Sequence, residues 1–216
     1  MPTGTVLITG AVRAEPESPT SFRFFNAIHV IDRNGFVGTY DKVHLVPFGE
    51  YLPFEAALRA MGLKQFVNVI GGFTASPARQ PLAVPGLPPV APMICFESIF
   101  PRDLAESVTD GGVFINVTND GWFGYTSGPY QHLAQARLRA VEFGQPMVRA
   151  ANSGISAVYD AFGRRIAALP LGRADVLDAP LPVGLSKTLY KRVGWYSFAA
   201  VMIGFLSIGV LGRLRA

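Results

Sequence analysis

Cys95 is the single cysteine of the chain and lies in the run Met93-Ile94-Cys95-Phe96-Glu97-Ser98. An apolar strand passes there into a helix, which exposes the sulfur at a strand end near helix N–H groups that favour a thiolate. Lys42 closes another strand, within Tyr40-Asp41-Lys42-Val43-His44-Leu45-Val46-Pro47-Phe48-Gly49-Glu50, and Glu50 follows in a loop bounded by Pro and Gly. A thiol attacking an acyl carbon creates a tetrahedral oxyanion. A nearby ammonium lowers a thiol's pKa and stabilises that oxyanion, and a carboxylate takes and returns the protons. Cys95, Lys42 and a glutamate would supply these three functions without a metal or any other cofactor.

Two further polar clusters stand beside these. Asn116-Val117-Thr118-Asn119-Asp120-Gly121-Trp122-Phe123-Gly124 follows a buried strand, and Gln131, His132, Arg137, Arg139 and Glu142 lie along a helix. Every one of these groups also has a plain structural reading. A lone cysteine can be an inert core residue. Lys42 can be a solvated strand-end charge, Glu50 a turn cap and His132 a satisfied polar residue. Asn119 and Asp120 can make a turn. Arg139 and Glu142, spaced i,i+3, read as a structural ion pair.

The composition narrows the class. Of 216 residues, half are hydrophobic and 16% charged, which excludes a disordered chain and allows one sizeable core. A single cysteine excludes a disulfide framework, and His29, His44 and His132 lack metal-ligand spacing. The net charge of +4 hints at anionic partners, but only weakly, because the basic residues form no long run; no nucleic-acid partner is expected. The 19 basic residues are mostly Arg, and before residue 187 only Lys42 and Lys64 are lysines. A chain that otherwise uses Arg has kept the compact ammonium at position 42.

The elements that must position these groups can be read from pattern. MPTGTVLITGAV carries no signal-peptide features and reads as a strand over Val6–Val12. Phe24–Ile31 and Phe36–Lys42 flank Asp32-Arg33-Asn34-Gly35 and predict a β-hairpin. Phe54–Met61 is a short helix candidate, and residues 71–92 read as a long Gly/Pro/Ala loop. Strands are expected at Pro92–Cys95, Val113–Thr118, Met147–Ala151, Ala157–Tyr159 and Arg164–Leu169. Helices are expected at Pro101–Val108 and Pro129–Phe143, the latter with Leu133, Ala136, Ala140 and Phe143 on one face. Mixed strands and helices predict α/β layering. Val193–Gly212 carries no charge over 20 residues, the length a transmembrane helix needs, with Trp195 and Tyr196 at an interfacial position. A buried core helix is the other reading of that stretch.

YDKVHLVPFGEYLPFE, ICFESIFP, NVTNDGWFG and GPYQHLAQARLRAVEFGQPMVRAANSGISAVYDAFG together resemble the apolipoprotein N-acyltransferase family, a membrane-embedded branch of the nitrilase superfamily. The resemblance runs from about Leu7 to the last hydrophobic stretch. It implies an α/β fold, a partial nitrilase-like α-β-β-α sandwich followed by one C-terminal transmembrane helix. Residues 1–186 would be the C-terminal part of the carbon–nitrogen hydrolase domain, 187–192 a connector, 193–212 the span and 213–216 a short basic tail. Cys95 would be the nucleophile that becomes a thioester and Lys42 the triad lysine that stabilises the oxyanion. Glu50 and Glu97 would be supporting active-site carboxylates, and Phe96 stands where the family often has Tyr.

The family's triad glutamate belongs to a Pro-Glu motif on an earlier strand, before the segment that matches Leu7–Gly10. Glu15 and Glu17 come after it, on a loop containing Pro and Ser, and do not match. The resemblance therefore covers the C-terminal part of such an enzyme and implies little or no activity for these residues alone. It also implies a phospholipid acyl donor and a diacylglyceryl lipoprotein acceptor. The location would be the bacterial inner membrane, with the catalytic domain on the periplasmic face. A membrane-tethered nitrilase-type amidase and a catalytically dead membrane-tethered binding module are the alternatives.

Overall fold

The computed structural model describes residues 1–54, 57, 60–62, 72–194 and 196–215. Two sheets carry the fold. The first is antiparallel, in the order β1 (Leu7–Ser18), β2 (Ser21–Asp32), β3 (Gly35–Asp41). Asp32 and Gly35 pair across the expected hairpin turn, where Gly35 takes a φ of 120° and the Asp32 carboxylate accepts Asn34 N–H at 2.6 Å.

β1 is longer than expected. Glu15 does not sit on a loop but on this strand, opposite Arg23. Pro16 does not end it because β1 is the edge of its sheet, where a missing N–H costs no ladder bond. Arg13 and Arg23 hold the Glu15 carboxylate at 3.0 and 2.8 Å and depress its pKa, the Arg13 hydrogen bond being the largest cause.

The second sheet has the order β4 (Val90–Ile94), β5 (Val113–Asn119), β6 (Met147–Asn152), β7 (Ser156–Tyr159), β8 (Arg165–Leu169). β4, β5 and β6 run parallel, and β7 and β8 return antiparallel. Parallel neighbours need crossovers, here supplied by α1 (Pro101–Leu104) and α2 (Gly128–Phe143). α1 is shorter than the expected Pro101–Val108 helix and gives way to turns. α2 stops at Gly144, whose φ of 64° is the left-handed cap geometry that glycine adopts without strain. Half of the predicted helix at Phe54–Met61, residues 55, 56, 58 and 59, lies outside the described residues.

Period-two alternation sorts the side chains of this sheet into two cores. Ala91, Met93, Phe114 and Met147 pack against Leu104 of α1 and Ala136, Ala140 and Phe143 of α2. Val90, Ile94, Val113 and Ile115 pack against Ile28, Val30 and Tyr40 of the first sheet. The described residues therefore stack as helix, sheet, sheet. Cys95 comes directly after β4 and Lys42 directly after β3, on the two sheets that face each other.

α3 (Leu189–Val193) and α4 (Tyr196–Arg215) close the chain. Phe198, Ile203, Phe205 and Ile208 of α4 are exposed. Among the described residues no helix is long and apolar enough to cross a membrane. The expected span at residues 193–212 includes Trp195, which lies outside them.

Candidate active site

Lys42 is 1% exposed. A buried ammonium needs a partner, and its Nζ donates to both oxygens of Glu50, at 2.9 and 2.7 Å. The same carboxylate accepts Asn26 Nδ2 at 2.7 Å and Val46 N–H at 2.7 Å. Glu50 thus orients the lysine and closes the loop that leads to it. The Lys42 backbone is pinned on both sides, its N–H to Asn26 O at 2.8 Å and its carbonyl accepting from Ser76 N–H at 2.9 Å.

Glu97 is fully buried. Its Oε1 accepts from Tyr40 Oη and Val43 N–H, both at 2.9 Å, and from His44 N–H at 3.3 Å. Its Oε2 accepts Ile94 N–H at 2.8 Å. Val43 follows Lys42 and Ile94 precedes Cys95, so one carboxylate ties the lysine strand to the cysteine turn. Arg79 NH2 stands 2.8 Å from Glu97 Oε1 without hydrogen-bond alignment, so its contribution is Coulombic. Arg79 NH1 donates to Pro92 O at 2.8 Å. Burial, then the Glu97 charge, push the Tyr40 phenol far up, which keeps it a donor.

Cys95 opens a short 3-10 turn, Cys95–Ile99, with its thiol free and half-buried. Its φ of 49° lies in the left-handed region, a conformation that costs a non-glycine residue about 1–2 kcal/mol. Such strain persists only where neighbours hold it. His132 Nε2 stands 3.0 Å from Cys95 O, and His132 Nδ1 stands 2.9 Å from Asp120 Oδ1. Asp120 also accepts Thr118 Oγ1 at 3.0 Å and Arg149 NH2 at 2.7 Å. Arg149 donates to Asn116 Oδ1, and Asn116 Nδ2 donates to Met93 O at 3.1 Å. Burial alone would raise the Asp120 carboxyl, but the His132 hydrogen bond and the Arg149 and His132 charges outweigh it and leave it below the usual range. Burial lowers the Arg149 guanidinium, offset in part by Asp120.

Of the expected site residues, Lys42, Glu50, Cys95 and Glu97 gather around the junction of the two sheets. The helix cluster divides. His132 joins this junction, Arg137 Nε donates to Gly163 O at 2.6 Å, and Arg139 pairs with Glu142 at 3.0 Å near the far end of α2. The last is the expected structural pair, with burial raising Glu142 and lowering Arg139. Asn119 makes a turn, its Oδ1 accepting Gly121 N–H at 3.0 Å, whereas Asp120 turns inward.

Asn26, Arg79 and Arg149 were not legible as site residues. Arg149 had a signal, since it alternates with Met147 on the inner face of a buried strand. Arg79 had none, lying in a loop of Pro, Ala and Gln. Among the described residues no cluster of His, Cys, Asp and Glu has metal-binding geometry.

The family model for carbon–nitrogen hydrolases matches residues 2–190. The chain belongs to the carbon–nitrogen hydrolase family. An apolipoprotein N-acyltransferase of Bradyrhizobium diazoefficiens is 51% identical over 197 residues, covering 90% of this chain and 37% of the relative. One from Rhodopseudomonas palustris is 49% identical over 219 residues, covering 100% of this chain and 40% of the relative. The chain thus spans about two fifths of the length of these relatives. The fold is shared with a carbon–nitrogen hydrolase of Helicobacter pylori (TM-score 0.52, 16% identity, 76% of this chain and 58% of that one). It is also shared with an amidase of Nesterenkonia (TM-score 0.51, 20% identity, 78% and 58%).

Proposed function

We propose that this chain carries the nucleophile of an apolipoprotein N-acyltransferase. The observation that carries the reading is the Glu97 bridge, which places the backbone beside Lys42 and the backbone beside Cys95 on one carboxylate. Close identity to proteins named apolipoprotein N-acyltransferase over nearly the whole chain supports this substrate class within the family.

In the first step the Cys95 thiolate attacks the ester carbonyl of a phospholipid. Two donors of the Lys42 ammonium go to Glu50, and the third is offered to the oxyanion. Collapse breaks the ester C–O bond, and the leaving lysophospholipid alkoxide takes a proton. The second step is attack on the thioester by the α-amine of a diacylglyceryl-cysteine lipoprotein, which forms the amide and returns the thiol. Covalent catalysis with release of a first product makes the kinetics ping-pong.

Proton transfer requires a carboxylate with a free oxygen. Glu50 is held by Lys42, Asn26 and Val46, and Glu97 by Tyr40, Val43, His44 and Ile94. Both act as orienting groups, and the base comes from outside residues 1–216. These residues alone then transfer little acyl chain, since a general base contributes about 10²–10⁴-fold. The uncharged stretch 193–212 spans the membrane, supported by its length and by the exposed apolar side chains of α4. Residues 1–186 form part of the hydrolase domain on the periplasmic face, 187–192 connect it to the span and 213–216 are a basic tail.

The test uses membranes containing the full protein, phospholipid labelled in its acyl chain and a diacylglyceryl lipopeptide. Label moving to the lipopeptide through the wild type but not through Cys95→Ala supports the reading. Release of ammonia from small amides, with no lipid labelling, would replace it with an amidase.

A further inference from the structure

The left-handed Cys95 backbone is braced from behind by a chain of buried polar groups that contact none of the Lys42, Glu50 or Glu97 side chains in the contacts above. A carbonyl oxygen only accepts, so His132 Nε2–H donates to Cys95 O at 3.0 Å. That fixes Nδ1 toward Asp120, 2.9 Å away. Asp120 is immobilised in turn by Arg149 and Thr118. Arg149 is fixed by Asn116 and by Ile155 O at 3.3 Å. Asn116 reaches back to Met93 O on the cysteine's own strand. The path therefore begins at Cys95 and closes two residues before it. Ser98 Oγ also donates to Cys95 O, at a longer 3.4 Å, and the Phe123 ring meets the imidazole edge-on at 5.7 Å.

A carboxylate-oriented histidine usually handles the nucleophile's proton. Here Nε2 is committed to the main-chain carbonyl, so its contribution is geometric. We propose that His132 is a positioning residue for Cys95, holding the strained backbone that presents the thiol, with Asp120 and Arg149 as its fixed support. The proposal rests on Cys95 being the nucleophile, but its test does not require acyl transfer.

Alkylation by iodoacetamide is read by mass spectrometry on the peptide that contains Cys95, the only cysteine among residues 1–216, so it follows this one thiol. Rates are measured on the full protein in detergent, for the wild type, His132→Ala, His132→Gln and His132→Asn, with thermal melting of each. Gln carries an amide nitrogen at the reach of Nε2; Asn carries one only at the reach of Nδ1. Loss of the brace releases the strain and lets Cys95 leave its presented conformation, an effect of about tenfold. The expected result is alkylation about tenfold slower in His132→Ala and His132→Asn, with His132→Gln within about threefold of wild type. Equal rates in wild type and His132→Ala would overturn the proposal. So would equal slowing in Gln and Asn, which marks loss of ring packing instead.

Should His132→Ala fail to fold, the contrast between Gln and Asn decides. A wild type that alkylates as expected but takes no acyl group from phospholipid would sink the acyltransferase reading and leave the positioning role standing. Normal acyl transfer by His132→Asn would sink the positioning role alone.

Discussion

Glu97→Gln is the substitution that most directly probes how the site is assembled. The change is isosteric, so packing is preserved and only charge and hydrogen bonding are altered. Oε1 accepts from Tyr40, Val43 and His44, and Oε2 accepts from Ile94. An amide oxygen at the Oε1 position keeps the first three as weaker, neutral bonds. The amide nitrogen then meets the Ile94 N–H, donor against donor. Arg79 also loses its counter-charge, with its side chain fully buried. Removing one partner of a buried ion pair costs about 3–5 kcal/mol. A bond to a charged group is worth about 1.5–3 kcal/mol, but part of that is already contained in the first figure. The expected loss is about 3–5 kcal/mol, a large share of the roughly 5–15 kcal/mol typical of a domain. In urea, with a slope of about 2–3 kcal/mol per molar, the midpoint falls by about 1–2.5 M. Unfolding followed by circular dichroism measures it. A midpoint within about 0.3 M of wild type would refute the bridging role of Glu97.

Lys42→Arg puts a longer, planar cation into a fully buried site shaped around an ammonium, and acyl-enzyme formation falls by about 10²-fold or more. Pre-steady-state labelling measures it, and near-normal labelling would reduce Lys42 to a structural charge. A methyl on Gly154 would lie 2.7 Å from Asp120 Cβ and 2.8 Å from Asp120 Cγ. Gly154→Ala therefore displaces the support of His132, lowering stability by about 1–3 kcal/mol and slowing Cys95 alkylation, whereas unchanged alkylation would detach this network from the thiol. The Asp120 carboxyl is depressed in the folded state, so it contributes stability that is present above an unfolded pKa of about 3.9 and lost as pH falls through the folded value. The stability difference between wild type and Asp120→Asn is then constant above about pH 5 and narrows in acid; a constant difference throughout denaturant melts from pH 2 to 7 would contradict this.

Much of the fold was legible because it follows from local rules. The β2–β3 hairpin announced itself through Asp32-Arg33-Asn34-Gly35, and α2 through its 3.6-residue apolar face. β1 ran past its expected end because position in the sheet, invisible in sequence, decides whether Pro16 is tolerated. In the site, Cys95, Lys42 and Glu50 were singled out from residue type and placement, and Glu97 was given its role by the family resemblance. The division of labour between the glutamates was not readable, since it depends on which backbone N–H groups each carboxylate meets. Arg79 and Arg149 come from segments distant in sequence and act only once the layers pack. His132 and Asp120 were noticed as polar residues, but their connection through Arg149 to the Cys95 carbonyl is a product of the tertiary fold.

The central step is the loading of an acyl chain onto Cys95. The decisive measurement is mass spectrometry of the full protein after incubation with phospholipid, with and without hydroxylamine, which cleaves thioesters. One fatty acyl group is expected on the peptide containing Cys95, removed by hydroxylamine and absent from Cys95→Ala. An acyl group on any other residue, or one that persists in Cys95→Ala, would contradict this.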